Sequence, residues 1–307
     1  MTKKIIKIEK NKDITQFLTL KTKVKAQYFF EAKSREDLIE IKKYSLEKKI
    51  PLILLGGGSN LAIIKEKVKG IVVKNSYQEL KILKEKDDQV VISVSSGYPV
   101  SLLIAKSIEY GWSGFEYHLG LPGTVGGAIY MNSKWTKPLS YFSDNLISAY
   151  LLDNQAKIKK VKKNYFKFAY DYSILQETKE ILLEAIFQLK KDKKEEIEKR
   201  AYQALDYRKK TQPFGVFTCG CFFQNISIKE KEEKNLPTTS AGYLIDQAGL
   251  KGFSVGDFYV SDIHANFIIN KGKGKKDDLL KLLSIIKQKV KEKFDIDLKE
   301  EVILINN

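Results

Sequence analysis

Two glycine-rich stretches carry the residue types best suited to holding a phosphorylated ligand: "LGGGSNL" at 55–61 and "YHLGLPGTVGGAIYMN" at 117–132. Three consecutive glycines in the first stretch leave their amides unobstructed, and Ser59 and Asn60 add short hydrogen-bonding side chains, which suits a pyrophosphate. The second stretch is almost uncharged and too apolar for a solvent loop, so its bare backbone suits a flat aromatic ring. Taken alone, the first stretch is better explained as a loop that needs positive φ. Together they favour one large ligand with both a pyrophosphate and a flat ring system.

The two cysteines of the chain, Cys219 and Cys221, stand two residues apart. They exclude a disulfide scaffold, and a bridge between positions i and i+2 of an extended strand would be strained. The case for zinc is weak, because His118 and His264 are the only histidines and no second ligand pair accompanies the thiols. We therefore predict no metal and a reducing compartment.

Composition and charge narrow the function classes. Hydrophobic residues make up 43% of the 307 residues, enough for a folded chain with a sizeable core. The formal net charge is +16, yet only three of the 54 basic residues are arginine, the residue that nucleic-acid readers use for bidentate contacts. No run of 18 apolar residues predicts a membrane span. The start, "MTKKIIKIEKNKDI", lacks the apolar core of a secretion signal, so we expect a cytoplasmic protein without specific nucleic-acid binding.

The hydrophobic pattern predicts a mixed α and β chain that positions these stretches. The buried strand "IPLILL" at 50–55 ends at the glycine triplet, and Ser34 can cap a helix with Asp37 three residues later, as in a capping box. Composition changes at Lys190, where a highly charged segment begins that could link two parts of the chain. Further strands are predicted at 68–74, 89–95, 145–153, 180–189, 219–228, 264–270 and 298–305, and helices at 34–49, 99–111, 190–208, 239–252 and 277–294.

Six motifs occur in a recognisable order: "PLILLGGGSNL", "GFEYHLGLPGTVGGAIYMN", "CGCFFQN", "AGYLIDQAGLKG", "SDIHANFIIN" and "LKEEVILI". In sequence and order they resemble the UDP-N-acetylenolpyruvoylglucosamine reductase family, over roughly residues 19 to 305. The resemblance implies an α/β (α+β) fold, in which an FAD-binding two-subdomain unit of the vanillyl-alcohol oxidase/PCMH type precedes a smaller α/β substrate-binding domain. The implied bounds are an N-terminal extension at 1–18, the FAD-binding domain at 19–190, and the substrate-binding domain at 191–307, whose C-terminal strand returns to the active site.

The resemblance also implies an NADPH-dependent flavoprotein oxidoreductase of peptidoglycan precursor synthesis. In the family, NADPH reduces non-covalently bound FAD and leaves. UDP-N-acetylglucosamine enolpyruvate then receives a hydride at C3, and protonation at C2 gives UDP-N-acetylmuramate. Such chemistry needs a rigid flavin, donors that stabilise the enolate, and a positioned acid. A monomer is expected.

Site residues follow from the same resemblance. The family's proton-donating serine in G-S-x-F-x-N aligns with Cys221, whose thiol, with an ordinary pKa of about 8.5, can donate a proton. The other interpretation of Cys221 is a buried strand cysteine. The family's catalytic glutamate aligns with Glu301 in "LKEEV". The resemblance also implies that His264 in "HANF" lies in a strand near the core of the substrate domain, so we interpret it as structural rather than catalytic. The predicted substrate-binding residues are Arg208, Lys210 and Asn225. The predicted FAD-binding residues are Leu55, Gly56, Gly57, Gly58, Ser59, Asn60, Leu61, Gly120, Pro122, Gly123, Thr124, Gly126, Gly127, Ala128 and Asn132.

Departures from the family pattern leave alternatives open. The arginine of the family's Y-R-x-S motif, which supports the substrate carboxylate and the enolate, is Asp171 here, so either another cation substitutes or activity falls. Lys23 and Val24 replace two glycines of the family's T-F-R-x-G-G-x-A motif, and Thr211 replaces a substrate-binding lysine. The alternatives are a catalytically altered flavin-binding homologue and a different FAD-dependent oxidoreductase on the same fold.

Overall fold

The structure is a computed structural model that describes residues 6–306. The chain divides into two compact units. The first unit contains the described residues up to Lys10, Tyr28–Gly57 and Gly70–Arg208, and the second contains Asn11–Gln27, Gly58–Lys69 and the chain from Lys209 onward. The implied domain bounds at 18 and 190 stay a prediction.

Strands and helices are numbered in chain order. The strands are β1 (Glu9–Asp13), β2 (Lys25–Ala32), β3 (Leu52–Leu55), β4 (Leu61–Ile63), β5 (Lys67–Asn75), β6 (Leu80–Glu85), β7 (Gln89–Ser95), β8 (Trp112–Ser113), β9 (Lys134–Thr136), β10 (Leu139–Tyr141), β11 (Leu146–Leu152), β12 (Ile158–Lys162), β13 (Ile181–Lys191), β14 (Ser254–Val255), β15 (Phe258–Val260), β16 (Ile268–Asn270) and β17 (Ile303–Ile305). The helices are α1 (Arg35–Glu47), α2 (Val100–Glu109), α3 (Val125–Tyr130), α4 (Leu175–Thr178), α5 (Lys194–Thr211), α6 (Ile228–Glu233), α7 (Ala241–Gln247) and α8 (Lys276–Phe294). None of the helices within residues 6–306 is both long and apolar enough to cross a lipid bilayer.

The second glycine stretch is supported by a large antiparallel sheet in the first unit. The strand order is β12-β11-β13-β7-β6, and β8 also pairs with β13. Helices α2 and α3 pack against this sheet and bury Ile104 and Ile129 in one apolar cluster with Ile92 and Phe187. Burial of each such side chain contributes roughly 1.5–3 kcal/mol, so α3, despite its six residues, is held by packing rather than by helix propensity.

The first glycine stretch begins where a parallel strand pair ends. In the first unit β3 pairs with β5, with Leu55 opposite Lys74. Helix α1 buries Leu38 against Ile71 and Val73 of β5, in a second apolar cluster. Because β3 stops at Leu55, the glycine triplet emerges at the carboxyl end of this buried pair.

The second unit has a core of its own. Its strands form the antiparallel order β14-β15-β16 and a parallel pair of β4 with β17, in which Ile303 lies opposite Leu61. Helices α7 and α8 pack on these strands through side chains that include Leu244 and Ile286, together with Phe258 of β15. Because β4 and β17 are parallel, the segments that precede them lie next to each other.

Several predicted elements are confirmed with tighter bounds. The helix at 34–49 is α1, and the Ser34 hydroxyl accepts a hydrogen bond from the Asp37 amide at 3.1 Å, as the capping pattern predicts. The helix at 277–294 is α8, and Gly249 follows α7 with a φ of 76°. The sequence pattern does not predict β6, an exposed edge strand with only one half-buried position at its start.

Three strand predictions are wrong in whole or in part. The strand predicted at 298–305 begins only at Ile303. Residues 219–228 form no regular strand; they make isolated bridges, Cys221 with Phe267 and Phe223 with Glu300. Gly220, with a φ of 90°, interrupts the extended backbone before them. The strand predicted at 264–270 begins only at Ile268, because the Phe267 amide closes a turn on the carbonyl of His264 at 2.9 Å.

We expect Ser34→Ala to lower the free energy of unfolding of the first unit by about 1 kcal/mol, because it removes the acceptor for an orphan amide of α1. Urea unfolding followed by far-UV circular dichroism measures this loss. Ser101→Ala is the matched control, since Ser101 is an exposed serine inside α2. Equal losses in the two variants would contradict the capping role.

Candidate cofactor and catalytic sites

The two glycine stretches meet backbone to backbone in the first unit. A Cβ atom on Gly57 would lie 2.4 Å from the Cα of Gly123, and one on Gly56 would lie 2.7 Å from the hydroxyl oxygen of Thr124. Real Cβ atoms do not approach backbone that closely, so Gly57 must be glycine for the stretches to touch. Gly123 has a φ of 111°, a conformation that L side chains rarely adopt. Four predicted FAD-binding residues are therefore brought together.

The second stretch is fixed to the sheet by main-chain hydrogen bonds. The amide of Gly126 donates to the carbonyl of Ser96 at 2.8 Å, and the amide of Val125 donates to that of Tyr98 at 2.9 Å. A Cβ on Gly126 would come within 2.9 Å of the same Ser96 carbonyl oxygen. Thr124 caps α3 by accepting from the Gly127 amide at 3.4 Å. Such fixation gives the stretch a defined backbone surface.

Asn132 ends the second stretch and anchors it. It has a φ of 47° and is 4% exposed. Its Nδ2 donates to the Ala169 carbonyl at 3.0 Å, and its Oδ1 accepts from the Ser143 hydroxyl at 2.6 Å. The Ser173 hydroxyl donates to the carbonyl of Tyr130 at 2.7 Å. The loop around 169–173 therefore holds the end of the stretch. The Asn132 side chain takes part through its own hydrogen bonds.

Asp171 lies in the same loop as a buried carboxylate. It is 7% exposed, has a φ of 49°, and its Oδ1 lies 3.7 Å from the ammonium of Lys134. That ammonium also sits 3.2 Å from the ring centroid of Tyr170. Burial raises the pKa of Asp171, and the Lys134 charge opposes that rise. The position where the family resemblance implies an arginine thus holds an acidic group with a lysine beside it.

Bare amides are available where the glycine stretches meet. Within residues 6–306 the amides of Gly57 and Gly123 donate to no acceptor. Unpaired backbone donors on adjacent glycines suit a phosphate anion. The two amides therefore fit the diphosphate of a dinucleotide. Sequence reasoning missed one nearby group: the ammonium of Lys74, which donates to the Gly56 carbonyl. No local sequence signal marks Lys74, because only the pairing of β5 with β3 places it opposite Leu55.

The remaining part of the first stretch lies in the second unit, together with both catalytic candidates. The Asn60 side chain donates to the Glu301 carbonyl at 3.4 Å, and the Ile303 amide donates to the Asn60 carbonyl at 3.1 Å. Gly58 has a φ of 67°, and a Cβ there would lie 2.1 Å from the carbonyl oxygen of Phe17. Leu61 starts β4, so its backbone serves the strand pair.

Cys221 and Glu301 are brought to neighbouring positions by backbone pairing. The Glu301 amide donates to the Phe222 carbonyl at 2.8 Å, one residue beyond Cys221. Cys221 forms its own bridge with Phe267 on the other side. Both Cys221 and Glu301 are half-buried. The arrangement places a thiol and a carboxylate-bearing residue on adjacent short segments.

The two cysteines differ sharply in environment. Neither forms a disulfide. Cys219 is 1% exposed, and burial raises the pKa of its thiol far above the usual range. Cys219 therefore stays protonated and inaccessible, whereas the half-buried Cys221 is the thiol that a substrate can contact. Among residues 6–306 no group of three or more His, Cys, Asp and Glu side chains converges as a metal site.

The three predicted substrate-binding residues have different surroundings. Asn225 is exposed, and its Oδ1 accepts from the amide of Ala241, the first residue of α7, at 3.1 Å. Arg208 is 7% exposed and lies in the first unit, with its guanidinium carbon 4.5 Å from the ring centroid of Trp135. Lys210 is an exposed residue of α5. The structure therefore gives Asn225 and Arg208 structural contacts and leaves Lys210 accessible.

Neither histidine has the environment of a proton-transfer residue. His118 is fully buried, and burial, helped by the charge of Arg208, lowers its pKa to about 4, so its ring is neutral at pH 7. His264 is half-buried in the turn before β16; its Nδ1 accepts from the Asn266 amide at 3.3 Å, and its ring packs on Phe267. These contacts agree with a structural role, although His264 lies in a turn and not in the predicted strand.

We expect Gly57→Ala to lower the melting temperature by several degrees, because its new methyl group must push the Gly123 backbone away. Gly127→Ala is the matched control: its Cβ would meet only the Thr124 hydroxyl, at 3.7 Å. Differential scanning calorimetry of the two purified variants measures the difference. A Gly57→Ala protein as stable as Gly127→Ala would contradict the close packing of the two stretches.

Comparisons with known proteins agree with this geometry. Residues 26–162 match the family model of an FAD binding domain, and residues 212–305 match that of the UDP-N-acetylenolpyruvoylglucosamine reductase C-terminal domain. A relative named UDP-N-acetylenolpyruvoylglucosamine reductase from Protochlamydia amoebophila is 35% identical over 90% of this chain and 87% of its own. One of the same name from Bacillus subtilis is 35% identical over 86% of this chain and 82% of its own.

A solved structure supports the same assignment. The crystal structure of UDP-N-acetylenolpyruvylglucosamine reductase from Thermus caldophilus matches with a TM-score of 0.79 and 28% identity, covering 98% of this chain and all of that one. The predicted fold class, an α/β FAD-binding unit followed by a smaller α/β domain, is confirmed. This chain belongs to the UDP-N-acetylenolpyruvoylglucosamine reductase family of oxidoreductases and contains its FAD-binding domain.

Proposed function

We propose that this protein uses NADPH and non-covalently bound FAD to reduce UDP-N-acetylglucosamine enolpyruvate to UDP-N-acetylmuramate. The reaction supplies peptidoglycan precursor synthesis in the cytoplasm, with the protein acting as a monomer. The observation that carries the proposal is the meeting of Gly57 and Gly123, whose bare amides suit a dinucleotide diphosphate. The match to the family's C-terminal domain supports the substrate assignment.

The FAD-binding residues of the first unit would hold the cofactor through their backbone. Gly57 and Gly123 offer bare amides and Thr124 a hydroxyl to the diphosphate, and the uncharged segment from Gly126 to Asn132 offers a surface for a flat ring. When bound, FAD supplies two-electron chemistry by taking a hydride from NADPH and passing it to C3 of the enolpyruvyl group. The fixed hydrogen bonds of the second stretch keep that surface rigid.

Cys221 is the proposed proton donor to C2 of the substrate. A thiol is a much stronger acid than an alcohol, so a half-buried cysteine can protonate a developing carbanion. Glu301 is the proposed second catalytic residue, because its amide is paired next to Cys221 and its carbonyl is held by Asn60. Lys210, exposed on α5, is the strongest of the three candidates for contact with the substrate diphosphate.

A second candidate function is a flavin-binding homologue with altered catalysis. The Asp171 carboxylate favours it, because an ionised carboxylate cannot stabilise the negative charge of an enolate. The Lys134 ammonium beside it argues the other way, since it supplies positive charge at the same place. An oxidase on the same fold is less well supported, because residues 212–305 match a domain of the reductase family.

We expect the purified protein to carry FAD that NADPH bleaches under anaerobic conditions. Adding UDP-N-acetylglucosamine enolpyruvate should then restore the oxidised flavin spectrum, because the substrate accepts the hydride. Stopped-flow absorbance at the flavin band measures both steps. Bleaching without reoxidation would favour the catalytically altered homologue, and reoxidation by oxygen and an alcohol substrate would favour an oxidase.

We expect Cys221→Ala to lower kcat about 100-fold or more, because the proton donor is removed. Cys221→Ser should retain a measurable part of the activity, since a hydroxyl can still donate. The matched control is Cys219→Ala, whose buried side chain affects only stability. Steady-state NADPH oxidation measures all three variants, and unchanged turnover in Cys221→Ala would remove Cys221 from the reaction.

A further inference from the structure

A half-buried lysine lies next to the first glycine stretch. Lys74 stands near the end of β5, opposite Leu55 in the parallel pair with β3. Its ammonium donates to the carbonyl of Gly56. Desolvation by burial lowers its pKa, and the charge of Glu31 opposes that effect. Lys74 is half-buried, so its ammonium has lost part of its hydration, and its hydrogen bond to the Gly56 carbonyl offsets part of that loss.

The geometry of a peptide group gives this contact a direction. The carbonyl of Gly56 and the amide of Gly57 belong to one planar trans peptide, so they point to opposite sides. With its oxygen held by Lys74, the peptide presents the Gly57 N–H away from the lysine. That N–H donates to no acceptor within residues 6–306. A cation on the oxygen also polarises the peptide and makes its N–H a stronger donor to an anion.

The position cannot relax easily. Gly57 packs on the Gly123 backbone, and Gly56 packs on the Thr124 hydroxyl, so rotation of the 56–57 peptide would disturb both contacts. Two independent constraints, glycine packing on one side and the ammonium on the other, therefore fix the same peptide plane.

We propose that Lys74 is a positioning residue for the cofactor, which orients and polarises the Gly56–Gly57 peptide so that its amide binds a phosphate of the FAD diphosphate. The inference rests on the proposed FAD-dependent function. It concerns affinity for the phosphate part of the cofactor and not the redox chemistry of the ring.

Binding titrations of the apoprotein, followed by flavin fluorescence, test this inference. We expect Lys74→Met to weaken FAD binding about tenfold or more, because a charge-assisted hydrogen bond to the peptide is lost. Binding of riboflavin, which has no phosphate, should be unchanged in the same variant. The FAD affinity of Lys74→Met should also depend less on salt than that of the wild type. Lys74→Arg should restore FAD binding, since it keeps a cationic donor.

Lys69→Met is the matched control, an exposed lysine on the same strand β5 that should leave FAD affinity unchanged. Lys74→Gln serves as a second variant. Its neutral side chain is polar, so it tests the loss of charge if the methionine variant fails to fold. Equal weakening of FAD and riboflavin, or unchanged FAD affinity in both neutral variants, would overturn the inference. A wild-type protein that binds no FAD would overturn the proposed function as well, so the two failures are distinguishable.

Discussion

Direct contact between two stretches of main chain is the constraint on which the cofactor region depends. Gly57 lies so close to the backbone of Gly123 that no side chain fits at position 57. Glycine costs conformational entropy on folding, and this cost is offset by the apolar cluster that holds α3 and by the parallel pair that ends at Leu55. The packed sheet below makes an otherwise flexible backbone rigid, and rigidity is what a cradle of amides needs to bind an anion well.

Local sequence patterns predict the role of the glycine stretches and the positions of the amphipathic helices, because the causes of both lie within a few residues. The apolar spacing of α8 and the cap of α1 are examples. The role of Lys74 is not predictable in this way, since nothing local separates it from the other lysines and its partner, Gly56, follows a different strand, β3. The segment after Gly220 is also missed, because its bridges alternate between Phe267 and Glu300, two partners far away in the sequence.

The pair formed by Asp171 and Lys134 changes the charge of the loop that anchors Asn132. An arginine there would add a positive charge, whereas this chain combines a buried carboxylate with an ammonium that also lies on the ring of Tyr170. Burial raises the pKa of the Asp171 carboxyl group, and the charge of Lys134 opposes that rise. The cation of this pair is supplied by Lys134 of strand β9 and not by the loop itself.

Glu301 and Asn60, which share a hydrogen bond, are 241 residues apart in sequence. Strand β4 can therefore pair with β17 only after residue 305 has left the ribosome. Until then the edge of β4 stays unpaired. Closing so large a loop is slow, and unpaired strand edges promote aggregation. During synthesis the first unit can finish folding earlier, so the nascent chain passes through a half-formed state in which chaperones have the greatest opportunity to bind.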